Sequence, residues 1–309
     1  MTYTSPPLDQ IVGHGLSSEV FRHGPEHVLK LYKSPSDPNA IANEFRAARR
    51  AYACGLSVPK AVEIVERDGR TGIVFEAVQG RNLLRTYQRR PLAFLVALGN
   101  LAELHGAINA QDGSDLPSQH ETLRMQITQA RISDFAKREA LRAFQNLPSG
   151  DRLCHGDLHP ENVVCSSQGL CVIDWQKAAR GNPAGDVART AVLLRYGRLK
   201  IGRLGRYVPL DAIRAAITGF YIQRYCLRTG ANRSEIRAWQ LPVLAARLFG
   251  QAADNEDEVR ATVERLAHRA APEDRLPCGS LGSNRFAGWR KRETASRWPD
   301  GEASGCGRS

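Results

Sequence analysis

None of the seven cysteines forms a CxxC pair, and their odd number argues against a disulfide framework. Without that spacing a zinc knuckle is disfavoured too, and reduced thiols in a cytoplasm are expected. No stretch offers eighteen apolar residues in succession, so neither a membrane span nor a membrane partner is expected. The opening MTYTSPPLDQ lacks both a basic start and an apolar segment, so no secretory signal is expected. Internal repeats are absent, as is low-complexity sequence before about residue 270. What remains is ordinary for a globular chain. Of 309 residues, 42% are hydrophobic and 24% charged, enough for two lobes or one large domain. Lys and Arg (43) outnumber Asp and Glu (32) by 11, which keeps phosphate-bearing partners in play.

Residues 8–33 read as strand segments interrupted by Gly13-His14-Gly15-Leu16-Ser17-Ser18 and turned at Gly24-Pro25. A helix is predicted from Asp37-Pro38 to Gly55, since Asp caps well and Pro suits the first helical position. Ala61–Glu66 and Gly72–Glu76 form two further strands around Arg67-Asp68-Gly69-Arg70. The first eighty residues are thus a small, mostly antiparallel sheet with one helix. After Gly80 the pattern is helical: 91–105, apolar on most faces, then 119–146, 184–196, 210–229, 234–249 and 255–270. One strand pair, Val163–Cys165 with Leu170–Ile173, interrupts it. The expected division is 1–79, 80–270, and a disordered Gly/Pro/Ser/Arg-rich tail over 271–309 that includes Trp289 and Trp298.

The most informative stretch is Cys154-His155-Gly156-Asp157-Leu158-His159-Pro160-Glu161-Asn162, followed by Cys171-Val172-Ile173-Asp174-Trp175. If Ser166–Gly169 is a four-residue hairpin turn, Cys165 pairs with Leu170, Val164 with Cys171 and Val163 with Val172. Asn162 then lies opposite Ile173, next to Asp174. Paired residues have Cβ atoms about 5 Å apart, so an amide oxygen and a carboxylate meet at the open end of the hairpin. Asp157 precedes them on a loop that Pro160 keeps out of helix. Three oxygen-bearing side chains suit Mg²⁺, which fills its octahedron with water and nucleotide phosphates. Two other readings stand beside this one. Asp157 and Asn162 serve equally as caps or turn residues of a structural hairpin, and His155-Gly156-Asp157 has the HxD form of a 2-His-1-carboxylate iron site, although that site favours strand-rich barrels.

These residues, His155 to Asn162, Ile173-Asp174-Trp175, and Gly181-Asn182-Pro183 with Asp186, resemble the signature of the aminoglycoside phosphotransferase family. That family is a branch of the protein-kinase-like fold that also holds choline, homoserine and methylthioribose kinases. The resemblance spans roughly residues 10–270. It implies an α+β, bilobal protein-kinase-like fold, with a small antiparallel-sheet N-lobe carrying one helix and a larger, mainly helical C-lobe. It also implies ATP and Mg²⁺ as cofactors, Asp157 as catalytic base, Asn162 and Asp174 as metal ligands, and a small-molecule hydroxyl as acceptor. His155 and Asp186 take architectural parts in shaping and anchoring the catalytic loop. His159 either lines the site or is packed or solvated.

Further upstream, Gly13-x-Gly15-x-x-Ser18-x-Val20 joins two strands, where backbone N–H groups would cover phosphates, with Ser18 at the kinase pattern's third glycine. An ordinary hairpin turn explains it equally well. Lys30 follows Val28-Leu29 as the nucleotide lysine does in Val-Ala-Ile-Lys motifs, and is preferred over Lys33 at the strand end. Glu44 lies on the apolar stripe Ile41, Phe45, Ala48, Tyr52 of its helix. A carboxylate there needs a cation. Lys30 is the favoured partner, with Arg46, Arg49, Arg50 or solvent as alternatives. Glu76 to Gly80 would be the hinge that contacts adenine.

The acceptor is hard to read. Aminoglycoside kinases need an acidic pocket, whereas Arg195, Arg198, Arg203, Arg206, Arg214, Arg224, Arg228, Arg233 and Arg237 make the helical part basic. Asp254-Asn255-Glu256-Asp257-Glu258 either faces the acceptor or starts the last helix, where acids complement the dipole. Tyr196, Tyr221, Tyr225 and Trp239 form either a quaternary-amine cage or core. A catalytically dead regulator would be expected to lose Lys30, Asp157, Asn162 or Asp174, and all four are present. The arginines are dispersed without a nucleic-acid motif, so no nucleic-acid partner is expected. Oligomeric state stays open.

Overall fold

Period-two alternation builds the N-terminal sheet. In the computed structural model, which describes residues 10–15, 17–33, 35, 37–87, 90–197, 210–250 and 255–271, five antiparallel strands form it. They are β1 (Ile11–His14), β2 (Ser18–His23), β3 (His27–Tyr32), β4 (Ala61–Arg67) and β5 (Arg70–Glu76), in the order β1-β2-β3-β5-β4. Leu29 and Leu31 point to one face and pack with Phe21 and Val74. Lys30 and Tyr32 point to the other, and both reach the one helix of this part, α1 (Pro38–Ala53). The β4–β5 turn narrows to Asp68-Gly69, both at positive φ (50° and 69°), as a two-residue turn of this hand requires.

The Asp37 carboxylate caps α1 by accepting the Asn39 N–H at 2.9 Å, and Pro38 opens the helix. Its buried face is Ile41, Glu44, Ala47, Ala48 and Ala51. Tyr52, placed on that stripe by spacing alone, is instead 46% exposed. The buried face is centred on Glu44, Ala48 and Ala51, and Tyr52 stands roughly a quarter turn away from Glu44 around the helix.

The C-terminal part comprises β6 (Arg81–Asn82), α2 (Leu83–Tyr87), α3 (Pro91–Asn109), α4 (Gln119–Thr128), α5 (Asp134–Gln145), β7 (Arg152–Cys154), β8 (Val163–Ser166), β9 (Gly169–Val172), β10 (Ala179–Gly181), α6 (Pro183–Tyr196), α7 (Leu210–Thr229), α8 (Arg233–Ala238), α9 (Gln240–Arg247) and α10 (Glu256–Ala270). Helix α3 carries an 18-residue window, Leu92–Asn109, that is long and apolar enough to cross a membrane by length and composition. Half of that window is buried within the fold, where α3 packs along α7 and places Leu98 and Leu101 in the core. The criterion of an unbroken apolar run misses it because Glu103 and His105 interrupt the run.

Three sequence expectations need correction. The helical pattern over 119–146 is two helices, because the Ser133 hydroxyl accepts the Ala136 N–H and starts α5 afresh. The pattern over 234–249 also divides, at the buried Trp239, whose backbone N–H bonds back to the Ile236 and Arg237 carbonyls and closes α8 before α9 begins. The hairpin is not the one interruption: β7 pairs with β10, and β6 adds to β8. The expected tail over 272–309, with Trp289 and Trp298, and residues Arg198, Arg203, Arg206 and Asp254 lie outside the described residues.

Candidate active site

The β8–β9 hairpin has the register expected of it: Val163 with Val172, Val164 with Cys171, Cys165 with Leu170. Ser166 also pairs with Gly169, so the loop proper is Ser167-Gln168. At the open end the Ile173 N–H donates to the Asn162 carbonyl at 3.0 Å. Asn162 and Asp174 are thereby brought to one place. The Asn162 amide donates to the Asp157 carbonyl at 3.0 Å, which fixes its nitrogen inward and leaves its oxygen as the other arm. Asp174 sits at φ 66°, in the left-handed region that Asp tolerates better than most residues.

Asp174 is also the meeting point of the two parts of the fold. Lys30 Nζ donates to Asp174 Oδ1 at 2.7 Å and to both Glu44 oxygens, at 2.7 and 2.9 Å. The Tyr32 hydroxyl donates to Glu44 Oε2 as well. Glu44 is 1% exposed. Burial alone would lower the Lys30 pKa, but Glu44 and Asp174 outweigh it and the ammonium is held above its ordinary range. Burial pushes the Glu44 carboxyl up, opposed by Lys30. Tyr32 was absent from the sequence expectation. Its signal was there, since it lies two residues from Lys30 on the same strand face.

The loop that begins at His155 hangs from α6. Asp186 is fully buried and accepts the N–H groups of His155 (2.8 Å) and Gly156 (2.9 Å), and it also meets His105 Nε2 at 2.8 Å and the Asn109 amide at 3.2 Å. Burial would raise its pKa, but His105 and these donors hold it far below the carboxylate range. His155 donates from Nε2 to the Ile173 carbonyl at 3.1 Å and accepts the Asp157 N–H at Nδ1 (3.2 Å), and its burial keeps it neutral. Gly156 has φ 75°, and a Cβ there would lie 2.1 Å from the Lys177 carbonyl, so only glycine fits. That close approach places Lys177 over Asp157, and Lys177 Nζ donates to Asp157 Oδ2 at 2.8 Å. The Asp157 side chain is 15% exposed and that of Lys177 51%. Burial works to raise the Asp157 pKa, but Lys177, Arg189 and His159 overcome it and bring it to about 2. Lys177 is the residue whose position spacing could not reveal.

The remaining candidates fall around this centre. Ser18 is buried at the start of β2, and its carbonyl accepts the Gly15 N–H at 2.8 Å. The adjacent Ser17 hydroxyl donates to Gln176 Oε1 at 3.2 Å, so the β1–β2 turn overhangs the Asp174 segment. Neither Gly13 nor Gly15 has positive φ; Gly13 lies within β1, paired with Val20. Glu76 ends β5 opposite His27. Four residues on, a Cβ on Gly80 would lie 2.2 Å from the Cys165 carbonyl, so the connection between the two parts runs against the hairpin. Among the described residues no group of three His, Cys, Asp or Glu side chains is placed to hold a metal by itself. A divalent ion bound through Asn162 and Asp174 would therefore rely on water and phosphate oxygens, as Mg²⁺ does. Glu256 pairs with Arg131 and Arg260, and Asp257 with Arg260, at the start of α10. Tyr196, Tyr221, Tyr225 and Trp239 are all core, which removes the amine cage.

Comparisons with known proteins bear on the fold and the family. A thermostable mutant of aminoglycoside phosphotransferase APH(4)-Ia, solved as a ternary complex with AMP-PNP and hygromycin B, superposes with a TM-score of 0.58 at 18% identity, over 84% of this chain and 92% of that one. An aminoglycoside-3'-phosphotransferase of type VIII gives 0.55 at 18% identity, over 78% and 94%. These likenesses show a kinase-like fold. Acyl-CoA dehydrogenase family member 10 of Mus musculus is 24% identical over 263 residues, which cover 74% of this chain. The chain spans only 24% of that relative's length. The phosphotransferase enzyme family (APH) matches residues 10–207, nearly two thirds of the chain, and the protein belongs to that family.

Proposed function

We propose that this protein transfers the γ-phosphoryl group of ATP to a hydroxyl of a small molecule. The observation that carries the reading is the Lys30 ammonium bonded at once to Glu44 and to Asp174. It ties a cation of the sheet to the carboxylate at the open end of the hairpin, where Asn162, five residues after Asp157, also fixes the Asp157 loop. In this reading Gly13, Gly15 and Ser18 form the turn over the phosphates, and Lys30, oriented by Glu44, faces the α- and β-phosphates. Residues from Glu76 onward border adenine. Asn162 and Asp174 would hold Mg²⁺, which supplies charge neutralisation at the phosphate oxygens.

Asp157 orients the acceptor hydroxyl and receives its hydrogen as the oxygen bonds to phosphorus and ADP leaves. With its pKa near 2 it is ionised throughout the physiological range and is a weak base. Its part is therefore mainly positional, which suits a loose transition state. The experiment is an ADP-release screen with magnesium over aminoglycosides, other hydroxylated antibiotics, choline, homoserine, sugars and hydroxy acids, paired with AMP-PNP binding. Turnover of one acceptor class, lost in Asp157→Ala while AMP-PNP still binds, supports the reading. Equal turnover in Asp157→Ala refutes the assignment of Asp157, and AMP-PNP binding without any turnover favours a non-catalytic nucleotide-binding regulator.

A further inference from the structure

Two of the core aromatics carry more than apolar bulk. Tyr221 and Tyr225 stand one turn apart on α7, 0% and 2% exposed. Both lie beyond residue 207, where the family match ends. Each turns its hydroxyl onto a polar side chain of α3, and these too are one turn apart. Tyr221 meets His105 Nδ1, and Tyr225 donates to Asn109 Oδ1 at 3.0 Å. Both α3 side chains then reach a single atom, Asp186 Oδ2, His105 through Nε2 at 2.8 Å and Asn109 through its amide nitrogen at 3.2 Å. The Asn109 amide also donates to the Leu153 carbonyl at 2.9 Å, on the strand that leads into the Asp157 loop. Gly106, between the two, lets the helices close up, since a Cβ there would lie 2.9 Å from Thr229 Cγ2.

Hydrogen-bond chemistry gives this ladder a direction. Asp186 accepts the His155 and Gly156 N–H groups, and a carboxylate offers acceptors only, so N–H groups must face it from α3 as well. A neutral imidazole carries its proton on one nitrogen and accepts at the other. A hydroxyl donating to Nδ1 therefore puts the ring proton on Nε2, where Asp186 needs it. A hydroxyl donating to Asn109 Oδ1 likewise holds the amide nitrogen toward Asp186 and Leu153, whereas the flipped amide would set its oxygen against the carboxylate. Deleting either hydroxyl leaves a buried acceptor unpaired and removes what chooses its orientation. We infer that Tyr221 and Tyr225 are positioning residues: their hydroxyls fix the His105 tautomer and the Asn109 amide, and through Asp186 they fix the loop that carries Asp157. Thr190, one turn after Asp186 on α6, donates to the Leu158 carbonyl at 2.9 Å, so the loop is gripped on both sides of Asp157. The positioning stands on these contacts, and its consequence for turnover rests on the phosphotransferase reading.

The test compares the full chain as wild type, Tyr221→Phe and Tyr225→Phe, each of which removes one oxygen. Thr262→Val serves as the comparison, because it deletes a buried hydroxyl of α10 that bonds to Arg265. Amide hydrogen exchange at His155 and Gly156 should rise about tenfold, relative to α1 and β3 amides, in both Phe variants and not in Thr262→Val. Imidazole nitrogen NMR shifts should place the His105 proton on Nε2 in wild type and show mixed tautomers in Tyr221→Phe. With an acceptor that turns over, kcat should fall by a similar factor while the KM for ATP and the AMP-PNP affinity hold. Exchange at His155 and Gly156 that is unchanged in both Phe variants, or raised equally in α1 and β3, overturns the inference. So does a wild-type His105 proton on Nδ1 or on both nitrogens, or a kcat equal to wild type in both Phe variants. Absence of turnover with every acceptor would instead strike the phosphotransferase reading and leave the exchange result standing.

Discussion

Replacing Lys30 by Met isolates the energetics of the buried charge cluster. The substitution leaves the Glu44 carboxylate, 1% exposed, with the Tyr32 hydroxyl as its remaining donor. Removing one partner of a buried pair costs about 3–5 kcal/mol, because the other charge stays desolvated. Asp174 adds little, about 1 kcal/mol or less, since its side chain is 39% exposed and regains water. Against a total stability of about 5–15 kcal/mol this is a large loss. Lys30→Met with Glu44→Leu removes both charges and leaves only the Tyr32 hydroxyl without an acceptor, at about 1–3 kcal/mol. Adding Tyr32→Phe should bring stability close to wild type while turnover stays lost. Urea denaturation with an unchanged m-value is the assay. Because burial raises the Glu44 pKa and Lys30 opposes that rise, the single variant protonates Glu44 more readily. A carboxyl with a raised folded pKa is stabilising at low pH and loses that contribution as pH rises through the raised value. The deficit of Lys30→Met should therefore be smaller at pH 5 than at pH 8. A single-variant cost below about 1 kcal/mol, or a double variant less stable than the single, would refute the buried-pair reasoning.

Asp157→Asn should lower kcat by about 10²- to 10⁴-fold with AMP-PNP affinity nearly unchanged, measured by ADP release and calorimetry. Since Asp157 is depressed from 3.8 to about 2, it contributes stability above pH ~4 that is lost as pH falls toward 2, about 2 kcal/mol in all; acid denaturation of Asp157→Asn should lack that part. Gly156→Ala puts a methyl 2.1 Å from the Lys177 carbonyl at φ 75°, and should lower both melting temperature and activity. A melting curve equal to wild type would refute the close approach. Asn162→Ala should raise the magnesium concentration needed for half-maximal ADP release, and chelation should abolish release in both proteins.

Much of this was legible because local rules set it. The hairpin register follows from a short turn between two apolar runs, and it alone brings Asn162 to Ile173. Glu44 revealed itself as a carboxylate on an apolar helix face, and the cation on the strand just before that helix answers it. What stayed hidden depends on distant pairing. The three-residue strands β7 and β10 lie too far apart in sequence and are too short to carry a periodic signal, yet they bring the Lys177 turn over the Asp157 loop. The break at Ser133 was legible in principle, as a capping serine followed by Asp134, but the apolar period continues across it. Tyr52 shows the limit of spacing: at 3.6 residues per turn it stands roughly a quarter turn from Glu44, at the margin of the buried face that Glu44, Ala48 and Ala51 centre.

Trp175, directly after Asp174, is almost wholly buried, with its indole N–H donating to the Val172 carbonyl at 3.3 Å. A buried indole removes roughly 200 Å² from water, worth about 5 kcal/mol at 25 cal/mol per Å². Swinging that ring into solvent would cost more than three orders of magnitude in population. The carboxylate it anchors thus has no cheap alternative pose, so the Asp174 arm of the cleft keeps one position whether or not anything occupies the space beside it.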